Sequence, residues 1–230
     1  MNVFDSIQKC QKVRRCWGEL NPQVYGPAVL PCSERHPKVM VVTEQPNLKR
    51  ERTTKHWNPT ELLIDYLKET KRWRSAEVAN RIDRMFKGAL LKDFDEESGS
   101  FNEFYWTHFI KCPGKIRSRK EFNTRGLLAD ACADRWLLQE ISQLKPKLII
   151  SFGSKASMWI LPKINYKEKW TERIWEEFKW IIDGRSVPYV NIGGVRAKLI
   201  VALHPSGANP LALTFNEKIG SLVKAAFDTL

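Results

Sequence analysis

The stretch LIVALHPSGANP, residues 199–210, carries an apolar run that stops at His204-Pro205-Ser206 and passes into a loop of small residues. A short apolar run bounded in this way predicts a buried strand, because Pro205 has no N–H with which to continue a ladder. His204 then stands at the end of a core strand, at the lip of the sheet, where open α/β sheets hold their ligands. Its imidazole suits proton or anion chemistry near neutral pH. The position equally suits a histidine that only hydrogen-bonds at a strand terminus.

Other runs share this form. Val39–Val42, Tyr105–Ile110 and Leu148–Phe152 are short, rich in β-branched or aromatic residues, and end in the polar or turn-forming tracts TEQPN, KCPG and GSKAS. Helical patterns fall between them. Pro59-Thr60-Glu61 opens a helix with Leu62, Leu63, Tyr66 and Leu67 on one face. Ser75–Leu91 continues in similar register, Leu127–Leu144 places Leu128, Cys132, Trp136, Gln139 and Ile141 near one stripe, and Lys155–Leu161 follows the third strand. Glu168–Ile182 and Phe215–Phe227 complete the set, while Asp93–Ser100 (DFDEESGS) reads as a flexible acidic connection.

Strands alternating with helices predict a three-layer α/β/α domain around a central, mostly parallel four-stranded sheet. The pieces interleave without a linker or repeat, so residues 1–230 read as one domain, with residues 1–37 as a helical, cysteine-bearing extension packed on it.

Composition narrows the function. The chain is 43% hydrophobic with nine Trp, which excludes a disordered polymer. A net charge of +12 favours a polyanionic partner, above all nucleic acid, although solvated lysines with no partner give the same sum. No eighteen-residue apolar run predicts a membrane span, and the N-terminus MNVFDSIQKC has no signal-peptide core, so a cytoplasmic, nucleoid-associated protein is expected. Its five cysteines then read as thiols or metal ligands rather than disulfides. Neither GxGxxG nor GxxxxGK[ST] is present, so a nucleotide cofactor has no phosphate cradle.

Taken in order, the strand ends resemble the uracil-DNA glycosylase superfamily, and most closely its iron–sulfur branch. VMVVTEQPN (residues 39–47) is similar to that branch's first motif, an apolar strand ending Gly-Glu-Ala-Pro-Gly; Glu44 and Pro46 match, while Thr43 and Asn47 replace glycines. YWTHFIKCP (residues 105–113) resembles the second motif, a strand running Thr-Asn and then Lys-Cys. Cys132, Trp136-Leu137, Glu140-Ile141 and LKPKLIISFGSKA (residues 144–156) resemble the passage from helix to third strand, and His204-Pro205-Ser206 completes the series.

The resemblance implies a monofunctional DNA glycosylase that flips a nucleotide out of the duplex and hydrolyses its N-glycosidic bond. His204 would stabilise charge on the departing base, and Glu44 would orient water or stabilise the sugar cation. Glu44 is also a plausible turn carboxylate. Gln45, Asn47, Thr107, His108, Ser206 and Asn209 are candidate base or minor-groove contacts. Trp57 either stacks on the flipped base or packs at a helix entry. Lys49, Arg50, Arg52, Lys115, Arg117 and Arg119 are candidate phosphate contacts. Lys71–Arg74 serves the same end or is a solvated face.

His108 departs most from the family pattern. It stands where the family carries an asparagine whose amide reads uracil bidentately, and an imidazole cannot present adjacent donor and acceptor in that way. The expected substrate is therefore a non-standard pyrimidine such as a modified cytosine, as phage DNA can carry, which would make the protein a defence factor. Ordinary uracil excision and a catalytically weak DNA-binding relative are the other readings. His108 is alternatively an ordinary strand histidine, with Thr107 the reader. The resemblance also implies a 4Fe–4S cluster on Cys10, Cys16, Cys112 and Cys132, although the spacings differ from the branch; Cys32 is a substitute ligand, and zinc or unligated thiols are alternatives. A monomer that hands its abasic product to downstream processing enzymes is expected.

Overall fold

The computed structural model describes residues 3–10, 29–33, 35–44, 59–73, 77–111, 130–163, 187–205 and 210–230. Each apolar run becomes a strand: β1 (Val39–Thr43), β4 (Phe104–His108), β5 (Leu148–Phe152) and β7 (Val195–Ala202). The sheet has five strands in the order β4-β1-β5-β7-β6, one more than expected. The added strand, β6 (Tyr189–Ile192), pairs antiparallel with β7, while the other neighbours run parallel. Gly193 and Gly194 join the two, at φ +58° and +77°. Both angles are positive, as a two-residue hairpin turn requires, and glycine reaches them without strain.

Side-chain alternation divides the core between the two faces of the sheet. Met40, Val42, Tyr105, Ile149, Leu199 and Val201 pack on one side with Ala133, Leu137, Ile141, Ala156 and Ile160. These last come from a π-helical turn (Ala133–Leu137), from α5 (Leu138–Leu144) and from α6 (Ser154–Lys163). Val39, Val41, Phe104, Trp106, Ile150 and Ile200 face the other side, against Leu63, Leu67, Ile82, Phe86, Leu90, Ile219 and Val223. That layer consists of α2 (Pro59–Trp73), α3 (Glu77–Met85), α4 (Ala89–Asp93) and α7 (Pro210–Asp228). Pro59 and Pro210 each begin a helix, where a missing N–H costs nothing. Burial of each large aliphatic side chain contributes roughly 1.5–3 kcal/mol, so both faces hold the sheet.

Three local expectations change. The helical pattern over Ser75–Leu91 breaks at Lys87 and Gly88, both at positive φ, and the buried Asp83 carboxylate accepts the Leu91 N–H at 2.9 Å across the break. The acidic segment Asp93–Ser100 is an ordered hairpin of β2 (Phe94–Asp95) and β3 (Ser100–Phe101). Asp93 accepts the N–H groups of Asn102, Glu103 and Phe104, and Asp95 caps Glu97, so these carboxylates tie backbone instead of merely facing solvent. In the helix before β5, Gln139 is exposed and Glu140 is buried, shifting the inward stripe by one position. The segment Glu168–Ile182 lies outside the described residues.

At the N-terminus, α1 (Val3–Gln8) buries Val3 and Ile7 beside Val29 and Trp136, and the Phe4 ring meets Tyr105 edge-on. Among the described residues, no helix is long and apolar enough to cross a membrane.

Candidate active site

Four parallel strands deliver their C-terminal ends to one edge of the sheet. β1 ends at Thr43 with Glu44 next, β4 ends at His108, β5 is followed by Gly153, and β7 is followed by Leu203 and His204. The chain goes from β1 to its neighbour β4, then crosses to β5 on the other side. Strand order therefore reverses between β1 and β5, the place where open α/β sheets form a ligand crevice.

Glu44 is held at that reversal. The β1–β4 pairing continues past the strands, because the Phe109 N–H donates to the Thr43 carbonyl at 2.7 Å and the Ile110 N–H to the Glu44 carbonyl at 2.9 Å. On the β5 side, a Cβ added to Gly153 would lie 2.8 Å from Glu44 Oε1. Gly153 is also at φ +95°, a conformation other residues rarely adopt. Glycine at this point lets the carboxylate lie over the end of β5.

His204 answers to two opposing influences. Burial pushes its imidazole below the ordinary histidine value, and the negative charge of Glu44 pulls it upward. Burial dominates, so the ring is neutral at pH 7. The next residue is anchored from α3, where Arg81 Nη1 donates to the Pro205 carbonyl at 2.8 Å. A neutral imidazole within electrostatic reach of a carboxylate, at a crevice, can donate a hydrogen bond to developing negative charge while the carboxylate stabilises developing positive charge.

His108 sits in a denser setting and is 4% exposed. Its Nδ1 lies 2.7 Å from the Thr43 hydroxyl, and that hydroxyl accepts the Trp106 indole N–H at 3.1 Å. Burial, then the charge of Lys111, then His204 drive the His108 pKa down to about 3. The influence of His204 brings the two histidines and Glu44 into one electrostatic group.

Behind His108 lies a buried ionic network that sequence reasoning did not find. Lys111 is 1% exposed, and its Nζ donates to Glu140 Oε2 at 2.5 Å, to the Thr107 hydroxyl at 2.6 Å and to the His108 carbonyl at 2.6 Å. Glu140 also accepts the Tyr105 hydroxyl at 2.5 Å and the Thr107 hydroxyl at 3.0 Å. Burial and the Glu140 charge push the Tyr105 phenol well above its usual value, keeping it protonated as a donor. Thr107, expected as a possible base reader, is 3% exposed and directs its hydroxyl into this network. The only sequence signal for the pair was the presence of Lys111 and Glu140 within the matching motifs.

Of the other expected site residues, Gln45, Asn47, Trp57, Ser206 and Asn209 lie outside the described residues, as do Lys49, Arg50, Arg52, Lys115, Arg117 and Arg119. Lys71, from the basic cluster on α2, donates to the Phe94 carbonyl at 2.6 Å and so ties α2 to the β2–β3 hairpin. Cys10 and Cys132 pack on the same small apolar cluster around Trp136, whereas Cys32 packs against the main core and donates to the Asn102 carbonyl. Cys16 and Cys112 lie outside the described residues, and among the described residues no three His, Cys, Asp or Glu side chains group tightly enough to hold a metal ion.

No individual curated protein matches the chain. A family model does, aligning with residues 31–222, a span that takes in the whole central sheet from β1 to β7 and the residues at its C-terminal edge. On that match the chain belongs to the uracil DNA glycosylase superfamily, a family of DNA glycosylases with a three-layer α/β/α fold.

Proposed function

We propose that the protein removes a non-standard or modified pyrimidine from DNA, as a monofunctional glycosylase with His204 and Glu44 as its catalytic residues. The bond between the sugar C1′ and the base nitrogen breaks with its electron pair leaving on the base. Water adds hydroxide to C1′, and its remaining proton balances the departed base. A neutral His204 donates a hydrogen bond to the charge developing on the base, a contribution of about 3–4 kcal/mol when preorganised. The Glu44 carboxylate stabilises the sugar cation and orients the water. The observation that supports this reading is that Glu44 and His204 interact electrostatically at the C-terminal edge of the sheet, with Gly153 making room for the carboxylate.

Gln45, Asn47, Trp57, His108, Ser206 and Asn209 are assigned to the flipped nucleotide and the gap it leaves. Lys49, Arg50, Arg52, Lys115, Arg117 and Arg119 are assigned to phosphates, consistent with the net charge of +12. On a modified cytosine of the kind phage DNA carries, the role is defence, and other enzymes process the abasic site. A group held by Cys10, Cys16, Cys112 and Cys132, 4Fe–4S or zinc, fits the shared packing of Cys10 and Cys132. It would supply a cross-link between the N-terminal segment and the helix before β5, outside the glycosidic chemistry. Metal analysis with ultraviolet–visible absorption decides this point, since a colourless, metal-free and folded protein excludes the group.

The function is tested with duplexes that carry uracil, a thymine mismatch or a modified cytosine, each incubated with protein and then treated with alkali. Strand scission at the modified cytosine is expected. Tight binding without scission on any duplex contradicts the glycosylase assignment and identifies a DNA-binding relative.

A further inference from the structure

We propose that Trp106 and Thr43 fix His108 as an Nε2–H donor, so that this position reads a single acceptor on the flipped base and disfavours a ring N–H. The proposal rests on the glycosylase reading above and specifies the substrate class of the same site.

The Trp106 indole is donor only, so the Thr43 hydroxyl must accept from it at 3.1 Å. That hydroxyl has one proton and two possible acceptors: His108 Nδ1 at 2.7 Å and the Thr107 carbonyl at 3.4 Å. The first is an ordinary O–H···N distance and the second is at the edge of a hydrogen bond. The opposite arrangement, with Nδ1–H donating to the second lone pair of the hydroxyl, leaves the Thr43 proton only the long contact to the Thr107 carbonyl among the described residues. The short contact therefore assigns Thr43 as the donor to Nδ1. Thr43 and His108 are directly opposite in the β1–β4 register, which holds this pairing in place.

A neutral imidazole carries one proton, and with Nδ1 accepting, that proton sits on Nε2. The ring is neutral throughout the physiological range, because burial, Lys111 and His204 together hold its pKa near 3. Lys111 fixes the backbone as well, donating to the His108 carbonyl at 2.6 Å. Nε2 is buried and has no hydrogen-bond partner among the described residues. A buried N–H without an acceptor is a standing cost that a ligand's lone pair removes.

An N–H donor of this kind is satisfied by a carbonyl oxygen or by a bare ring nitrogen. It has nothing to offer a base N–H beside it, unlike an amide, which presents donor and acceptor together. The ring of uracil or thymine carries N3–H and leaves that group unanswered. A cytosine-type ring has a lone pair at N3 and meets the donor directly. The favoured ligand class is therefore a cytosine-type ring, including its modified forms, which satisfies the donor without leaving a ring N–H unanswered.

Two readouts test this. In protein labelled with 15N-histidine, long-range proton–nitrogen correlation reports each tautomer, and the His108 signals are those lost in His108→Asn. The Nε2–H pattern is expected at pH 7 and unchanged at pH 5. An Nδ1–H pattern, or a doubly protonated ring at pH 5, overturns the proposal. Thr43→Val should release a tautomer mixture and Thr43→Ser should restore the single form; a single Nε2–H form in folded Thr43→Val removes the role given to Thr43. For substrate choice, the ratio of hydroxymethylcytosine to uracil excision should fall about tenfold or more in His108→Asn. An unchanged ratio overturns the specificity claim. Excision of neither base by the parent protein overturns the glycosylase reading instead, and the tautomer measurement stands apart from that outcome.

Discussion

Two histidines stand at the same edge of the same sheet, and the charges around them differ. At the end of β4, His108 is enclosed by the Thr43 hydroxyl, the Trp106 indole and a buried Lys111–Glu140 pair that also takes in Tyr105 and Thr107. Beyond β7, His204 follows an apolar strand, feels the charge of Glu44, and precedes Pro205, whose carbonyl accepts from Arg81. Under the proposed function, the difference separates two tasks. The β4 end spends buried polar groups on fixing one ring in one protonation state, as recognition of a base edge demands. The β7 end keeps a neutral imidazole under the influence of a carboxylate, as charge separation demands.

The sharpest way to break this contrast is to remove Glu140. Glu140→Leu leaves the Lys111 ammonium buried without its counter-charge, which costs about 3–5 kcal/mol. Urea denaturation should report that loss, and a variant as stable as the parent would mean the network does not hold the β4 end.

Acid offers a gentler test of the same end. An unfolded histidine takes up a proton near pH 6.5, whereas folded His108 resists it until about pH 3. Its folded pKa is depressed, so its contribution to stability is complete above pH 6.5 and is lost progressively as the pH falls toward about 3. The slope is about 1.4 kcal/mol per pH unit, or about 2 kcal/mol between pH 6.5 and 5. Stability measured in urea across that range should be flatter by this amount in His108→Asn. Equal slopes in the two proteins would place His108 outside the buried, neutral state described here.

The smallest effect is expected between the two ends. Gly153→Ala strains a residue at φ +95° by about 1 kcal/mol and pushes a methyl group against the Glu44 carboxylate. Excision kinetics should show a lower kcat with little change in KM. A change in KM alone would mean Glu44 serves binding rather than the chemical step.

These features were not equally legible in the chain. The strands were, because Val39–Val42 or Leu148–Phe152 must be buried wherever they go, and His204 followed from the end of such a run. The Lys111–Glu140 pair was hidden for a physical reason: charged side chains at a strand exit and in a helix read as solvent-facing until the partner in space is known. The same reason concealed Asp93 and Asp95, whose carboxylates order a hairpin where acidic composition suggested a flexible segment. β6 was missed for a different cause. Its alternating burial in Tyr189–Ile192 lacks a continuous apolar run, although the Gly193-Gly194 turn was a usable signal. The role of Thr43 required both its register opposite His108 and the indole of Trp106, and neither is visible along the sequence.

Under the proposed function, the β7 end performs the chemistry whichever base is bound. The most direct test is single-turnover excision by the parent protein and His204→Ala, on duplexes that differ only in carrying hydroxymethylcytosine or uracil. His204→Ala is expected to slow excision of both bases by the same factor, about 100- to 1,000-fold. Parent-like rates in the variant, or a loss confined to one base, would contradict it.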